Sequence, residues 1–109
     1  MRMVEIEHYL APDGHTNPYL DWLNSLRDNR IKVAVIRRVA RIELGNFGDH
    51  RFCRDGIWEL RIDMGPGYRL YYTLVRRRVV LLLCGGDKST QSADLACAVR
   101  YRKDWEQRP

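Results

Sequence analysis

The sequence predicts an α+β fold in which one twisted, mostly antiparallel sheet carries a helical hairpin on one face and is followed by a C-terminal helix. Three observations predict this class. Two amphipathic segments follow a short first strand, three β-rich segments with short links come next, and the apolar run VVLLLC, residues 79–84, is typical of a central strand covered on both faces. We expect the order β-α-α-β-β-β-α in a single domain, residues 1–109.

The first half of the chain is expected to hold one strand and two helices. Residues 3–10, MVEIEHYL, alternate apolar and polar side chains as a strand does. Asn17 is a good N-cap and Pro18 suits the first helical position, so a helix is expected from there to about residue 29. A second helix is expected at about 30–44, with an apolar stripe of Ile31, Val35, Val39 and Ile42.

This second helix also carries a row of cations that falls largely off its apolar stripe. The row consists of Lys32, Arg37, Arg38 and Arg41. Such a row is typical of a solvated helix face, or of a face that an acidic partner covers.

The second half of the chain is expected to be an antiparallel meander followed by a helix. Residues 45–56 are rich in glycine and polar side chains, which predicts a loop. The segments 57–63, 67–75 and 78–84 have strand character, and the links between them are short enough for hairpins. The last stretch, 92–107, has a helical pattern.

Charge and composition limit the class of protein and its partners. The net charge is +5, and all of the excess lies in the second half, since residues 1–50 hold seven basic and seven acidic side chains. Such an excess attracts a polyanion or an acidic protein, although many soluble domains are basic for solubility alone. The longest apolar run has six residues, far below the roughly 20 that span a membrane.

Compartment and cofactors follow from similar reasoning. The N-terminus has no continuous apolar region of the kind that a signal peptide carries, and the three cysteines lack paired spacing. We therefore expect a cytoplasmic protein with free thiols and no contact with a membrane. The three histidines lie far apart in the chain, so neither a metal site nor a cofactor is expected.

The alternation in the middle strands predicts one polar face of the sheet. Arg61 and Arg69 fall opposite the apolar residues of their strands, on the same face as Glu59 and Tyr71. An ordinary solvent-facing sheet with cross-strand ion pairs has this pattern. A concave basic surface for RNA, with aromatic rings that stack on bases, has it as well.

The segment GGDKST after the last strand helps to distinguish an ordinary solvent-facing sheet from a surface for RNA. Gly85-Gly86 allows a sharp turn, so Asp87 and Lys88 are expected beside the two arginines. Fixed cations at that point would stabilise the charge that develops on a phosphodiester under attack. By itself the segment is more typical of a plain turn, because it lacks the spacing of a phosphate-binding loop. His50, in the preceding glycine-bordered loop, is a candidate proton-transfer group or simply a loop histidine.

Several segments together closely resemble the RelE/ParE superfamily of bacterial toxins. They are YLDWLNSLRD, RRVARIELGNFGD, WELRI, GPGYRLYY and LLLCGGDKSTQ, and they cover nearly the whole chain. The specific resemblance is to the addiction-module killer proteins, also described as phage-Gp49-like or HigB-like. It implies a RelE-like toxin fold with the element order reached above.

The resemblance also implies a function. Ribonuclease members of this superfamily cut mRNA in the ribosomal decoding site, by attack of the ribose 2′-OH on the adjacent phosphate. It implies catalytic roles for Arg61, Arg69 and Lys88. From their positions in the sequence, we also expect RNA contacts from Glu59, Tyr71, Asp87, His50 and Arg51. Tyr101 is the nearest candidate for the C-terminal catalytic side chain of characterised members, and the general base and acid are not assigned. The implied partners are mRNA, the ribosome and a cognate antitoxin, usually a helix-turn-helix protein, with oligomers formed only through the antitoxin complex.

The superfamily leaves a second function open. Its ParE side comprises non-enzymatic inhibitors that bind DNA gyrase. The clustering of cations around a phosphate-sized gap favours the endoribonuclease, because a protein that only binds gyrase has no need of it.

Overall fold

A computed structural model of the chain describes residues 3–109 and has an α+β architecture with one five-stranded mixed sheet and three α-helices. A single turn of 3-10 helix precedes the last helix. The elements are β1 (Glu5–His8), α1 (Pro18–Ser25), α2 (Asn29–Glu43), β2 (His50–Arg54), β3 (Ile57–Ile62), β4 (Tyr68–Arg76), β5 (Val79–Asp87), the 3-10 turn (Lys88–Thr90) and α3 (Gln91–Glu106).

The strands lie in the order β1-β5-β4-β3-β2. β1 runs parallel to β5, and the other neighbours are antiparallel. The general α+β class and the mostly antiparallel sheet agree with the prediction.

The predicted element order is wrong in one place, because part of the expected loop 45–56 is the strand β2. β2 pairs with β3 across a tight turn at Asp55 and Gly56, whose φ angles are +51° and +76°. Positive φ at both central residues suits a two-residue hairpin turn, and Asp-Gly is a favoured pair there. β2 is an edge strand of mostly polar side chains, so it has little of the apolar alternation that predicts a strand.

The two predicted helices are present, but the first one ends earlier than expected. The Asn17 side chain accepts a hydrogen bond from the backbone N–H of Leu20, 3.1 Å away, as an N-cap does. α1 ends at Ser25 because Asp28 already caps α2, its Oδ1 accepting from the Arg30 N–H at 2.9 Å. The chain between the helices is thus extended rather than helical.

The sheet separates two apolar cores. One face packs against α1 and α2, and its buried strand residues are Leu60, Ile62, Leu70, Tyr72, Val80 and Leu82. The opposite face packs in part against α3, and its buried strand residues are Ile57, Tyr71, Leu81, Leu83 and Cys84. β5 is central and buried on both faces, which explains its unbroken apolar run.

Trp58 lies on the predicted face but at the margin of the first core. It is half-buried, and its ring meets Phe52 edge-on with centroids 5.3 Å apart. Trp58 therefore packs against the core on the apolar face that the strand alternation predicts, without being fully buried.

Among residues 3–109, no helix has the length and apolar character needed to cross a membrane. Within the same range, no group of three or more His, Cys, Asp or Glu side chains is arranged to hold a metal ion. The three cysteines are free thiols.

Candidate functional site

Arg61 and Arg69 are directly opposite each other on adjacent strands. They are cross-strand partners in the β3–β4 register, so both side chains leave the sheet on the same face. β5 continues this row, because Arg69 is paired with Gly86 on its other side. A polar cleft of about 210 Å³ opens here, lined by Asp49, Arg61, Asp63 and Arg69.

Arg61 is held by groups on both sides. Its backbone N–H donates to the Asp49 carbonyl at 2.9 Å, and its Nη2 donates to the carboxylate of the same residue at 3.2 Å. Arg38 of α2 donates to the Arg61 carbonyl at 2.7 Å. Arg61 is therefore a fixed cation at the rim, with part of its charge balanced by one carboxylate.

Arg69 is the more buried of the two arginines, with only 13% of its side chain exposed. Its Nη1 reaches the Tyr68 carbonyl at 3.4 Å. Its Nε lies 3.8 Å from Oε1 of Glu59 and has no hydrogen-bond partner among residues 3–109. The Nε is buried beside Glu59, and Arg69 lines the polar cleft with the rest of its side chain, where a guanidinium is well suited to an anionic ligand.

Glu59 is a buried carboxylate beneath this cleft, with 1% of its side chain exposed. It accepts from Nε of Arg51 at 2.7 Å and from Nε2 of Gln91 at 3.1 Å. The hydrogen bond and charge of Glu59 raise the pKa of Arg51. A buried charge needs partners that compensate it. Glu59 has such partners in Arg51 of β2, Arg69 of β4 and Gln91 of α3, and it therefore links these three elements.

Glu59 and Tyr71 lie on the expected face of the sheet but are buried rather than exposed. α3 covers this part of the face, and burial is the main cause that raises the Tyr71 pKa well above its usual value. The Tyr71 hydroxyl has no hydrogen-bond partner among the described residues. The expectation that its ring stacks on a base is wrong, since stacking needs an exposed ring.

Lys88 directly follows β5, and its backbone and Cβ lie near Arg69. Its N–H donates to the Gly67 carbonyl at 2.9 Å. A Cβ placed on Gly67 would be 3.9 Å from the Lys88 Cβ and 3.4 Å from Nη1 of Arg69. The Lys88 side chain is exposed and makes no ion pair within the part of the chain that the structure describes.

A second cleft, of about 500 Å³, extends the cationic region toward α3. It is lined by Arg51, Lys88, Ser89, Gln91, Ser92 and Leu95. Arg51 and Gln91 line this cleft, and both donate hydrogen bonds to Glu59. Since Glu59 also lies beside Arg69, the buried carboxylate connects the second cleft to the first.

Asp87 has a structural contact that the sequence did not predict. Its Oδ1 accepts from the Ser89 N–H at 2.8 Å and from the Ser89 hydroxyl at 2.5 Å, and these bonds lower the Asp87 pKa. Asp87 thus caps the turn that carries Lys88.

The glycine pair is part of β5 and does not form the predicted sharp turn. A Cβ on Gly85 would overlap the Trp22 ring of α1, and one on Gly86 would overlap the Asp94 carboxylate of α3. The glycines let a helix on each face approach the strand closely.

His50 is not part of the cationic cluster. It is paired with Leu60, so it faces the α1–α2 side of the sheet. Its ring lies 5.5 Å from that of Trp58, and its Nδ1 is 2.9 Å from the Gly48 carbonyl. The structure therefore separates His50 from Arg61, Arg69 and Lys88.

Sequence reasoning did not select Asp49, Asp63 and Gln91 as site residues. Asp63 could have been predicted, because it lies two residues after Arg61 and continues the same polar face just beyond the end of β3. Asp49 and Gln91 carry none, because only the folding of β2 and α3 onto the sheet brings them to the site.

Comparison with known proteins places the chain in a family. The model of the family "Phage derived protein Gp49-like (DUF891)" matches residues 21–100. An uncharacterized protein of Haemophilus influenzae is 50% identical over 74 residues, which cover 68% of this chain and 75% of the relative. No solved structure matches. The chain belongs to the Gp49-like family, a branch of the RelE/HigB-like toxin superfamily.

Proposed function

We propose that this protein is the toxin of a type II toxin–antitoxin system and acts as a ribosome-dependent mRNA endonuclease. The observation that supports this most is the direct opposition of Arg61 and Arg69 across β3 and β4, with Lys88 starting beside Arg69. Membership of a toxin family supports the general class. The arrangement surrounds a polar cleft on the side of the sheet away from α1 and α2.

The proposed reaction is a transesterification within the RNA. The ribose 2′-oxygen forms a bond to the adjacent phosphorus while the bond from phosphorus to the 5′-oxygen breaks. The products are a 2′,3′-cyclic phosphate and a 5′-hydroxyl. Negative charge grows on the phosphate oxygens as the bond forms, and fixed cations aimed there lower the barrier.

The three cations have different parts in this proposal. Arg69 lines the cleft and offers its guanidinium to the non-bridging oxygens, while its buried Nε stays beside Glu59. Arg61 supports the same phosphate from the opposite strand. Lys88 is exposed at the rim, and we assign its ammonium to protonate the departing 5′-oxygen.

Asp63 is the group that we assign to accept the 2′-OH proton. Of the two carboxylates lining the smaller cleft, Asp49 is engaged by Arg61, whereas Asp63 makes no ion pair within residues 3–109. Glu59 is unsuited to this step because it is buried under α3. Its proposed part is to hold Arg69 and Arg51 in place.

The partners in this proposal are mRNA on the ribosome and a cognate antitoxin, in the cytoplasm and without a cofactor. A paired assay tests the function. Purified protein is added to a translating extract with mapping of new mRNA 5′ ends, and to a gyrase supercoiling reaction. We expect new ends in the first and normal supercoiling in the second. Inhibition of supercoiling without mRNA cleavage would favour the gyrase inhibitor instead.

A further inference from the structure

α2 is apolar on two opposite sides. Its inner stripe, which includes Ile31, Val35 and Ile42, is buried in the first core. A second stripe lies about half a turn of the helix away, given the roughly 100° between successive residues. It consists of Val33, Ile36 and Ala40 of α2 and of Leu44, the residue that follows the helix, and all four are exposed. We call these four residues the outer stripe of α2.

The outer stripe is unusual for a helix that faces water. Ile36 is 52% exposed and Leu44 is 66% exposed. A surface helix normally carries polar side chains opposite its core face, and a contiguous apolar patch on that side indicates an interaction surface.

Cations without partners border the outer stripe. Arg37 and Arg41 follow one flank of it, and neither makes a salt bridge within residues 3–109. An apolar stripe beside unpaired arginines fits an amphipathic helix whose polar edge carries Asp and Glu.

The same surface continues beyond the end of α2 into a strongly cationic cleft. Met3 lies against that end of the helix. Its N–H donates to the Glu43 carbonyl at 2.8 Å, and its Cβ is 3.7 Å from the point where a Cβ on Gly45 would lie. Met3 is also part of the wall of a cleft of about 520 Å³. The cleft is lined by Met3, Val4, Glu5, Arg76, Arg77, Arg78 and Val79.

We propose that the outer stripe of α2 and the cleft at Arg76–Arg78 together form the docking surface for an acidic amphipathic helix of the antitoxin. The inference rests on the proposed function, since it assigns a contact site to the partner named there. From Val33 to Leu44 the stripe is about 16 Å long, enough for roughly three turns of a partner helix. Acidic residues at one end of that helix would enter the arginine-lined cleft.

Two observations favour this occupant over a second copy of the chain. The net charge of +5 and the arginines beside the stripe repel an identical surface. The surface also lies on the outer side of the α1–α2 layer, away from the face that carries Arg61 and Arg69. Changes there are therefore expected to alter partner binding without altering the chemistry.

The test measures binding of the purified protein encoded beside this gene, by titration calorimetry, to wild-type toxin and to two variants. Ile36→Glu places a charge in the middle of the stripe and is expected to weaken binding at least 30-fold, as loss of a central interface residue does at about 2 kcal/mol. Phe52→Glu is the matched control, because Phe52 is 53% exposed and belongs to β2, at the opposite edge of the sheet from β1. The control is expected to stay within about 3-fold of wild type.

Growth assays and a charge variant extend the test. The Ile36→Glu toxin is expected to inhibit growth as wild type does and to escape neutralisation by the neighbouring protein. Replacing Arg76, Arg77 and Arg78 by alanine is expected to slow association about 10-fold at low salt and to flatten its salt dependence.

Three results would overturn the inference in distinguishable ways. Equal binding of wild type and Ile36→Glu would remove the docking site while leaving the toxin assignment intact. No binding of the neighbouring protein to wild-type toxin would refute the antitoxin in the proposed function, and the docking surface with it. A wild-type dimer that Ile36→Glu converts to monomers, seen by sedimentation, would assign the stripe to self-association.

Discussion

The Arg51 guanidinium of β2 donates to the buried Glu59 carboxylate of β3 across 2.7 Å. Glu59 in turn is 3.8 Å from the Arg69 Nε, so one carboxylate lies between an exposed arginine and a mostly buried one. The Glu59 carboxylate holds Arg69 at the cleft, and the expected effects of replacing Glu59 and Arg69 rest on this contact.

Replacing Glu59 tests whether it orders the cations. Glu59→Gln keeps the size of the side chain and removes its charge, so we expect a lower kcat for cleavage while the fold remains. Glu59→Ala also removes the contacts to Gln91 and Arg51, and we expect it to lower the free energy of unfolding by about 1–3 kcal/mol. Single-turnover cleavage and urea unfolding measure the two effects. Asp49→Asn, a change at an exposed carboxylate, should shift unfolding by less than about 0.5 kcal/mol.

Arg69→Ala is expected to abolish growth inhibition while the protein stays folded. Arg69 makes no hydrogen bond to Glu59, and Arg51 remains to balance that carboxylate. Loss of one charge-stabilising donor lowers the rate by about 10²–10³. Growth after induction and thermal unfolding of the purified variant check both halves. A variant that is still toxic would remove Arg69 from the site.

Lys88 offers a test that separates chemistry from stability. Lys88→Ala should lower cleavage by about 10²-fold with little change in the melting temperature, because its side chain is exposed. Lys88→Arg should recover only part of the rate, since a guanidinium keeps the positive charge but does not give up a proton to the departing oxygen. If both variants cleave RNA at the wild-type rate, Lys88 is an ordinary turn residue.

The glycine pair predicts a packing defect. Gly85→Ala forces a methyl group against the Trp22 ring, and we expect a loss of about 1–3 kcal/mol of folding stability. Combining it with Trp22→Leu should cost less than the sum of the two single changes, because the smaller side chain makes room. Denaturant unfolding of the four proteins in the cycle measures this coupling. Strict additivity would mean that the two side chains do not conflict.

The sequence could predict the faces of β3 and β4, because a strand alternates strictly. Trp58, Leu60 and Ile62 were separated correctly from Glu59 and Arg61 on that basis alone. The alternation does not predict how deeply Trp58 is buried, since that depends on how the helices pack over the sheet. Trp58→Ala should accordingly cost less than the 3–5 kcal/mol of a full core truncation.

Two other features could not be predicted from sequence periodicity. β2 is an edge strand with mostly polar side chains, so its residues have the composition of a loop. α3 carries cations and alanines around much of its circumference, so its pattern does not indicate which part of the sheet it covers. The burial of Glu59 and Tyr71, and the arrival of Gln91 beside them, depend on that packing.

We propose that the protein cleaves RNA at the cleft lined by Arg61 and Arg69, and the chemistry of the cut ends is the sharpest test of this activity. Wild-type protein and Arg69→Ala are each added to a translating extract, and the new mRNA ends are mapped and typed. We expect 5′-hydroxyl and 2′,3′-cyclic phosphate ends with wild type and none with Arg69→Ala. Intact mRNA with wild type, or equal cleavage by Arg69→Ala, would contradict it.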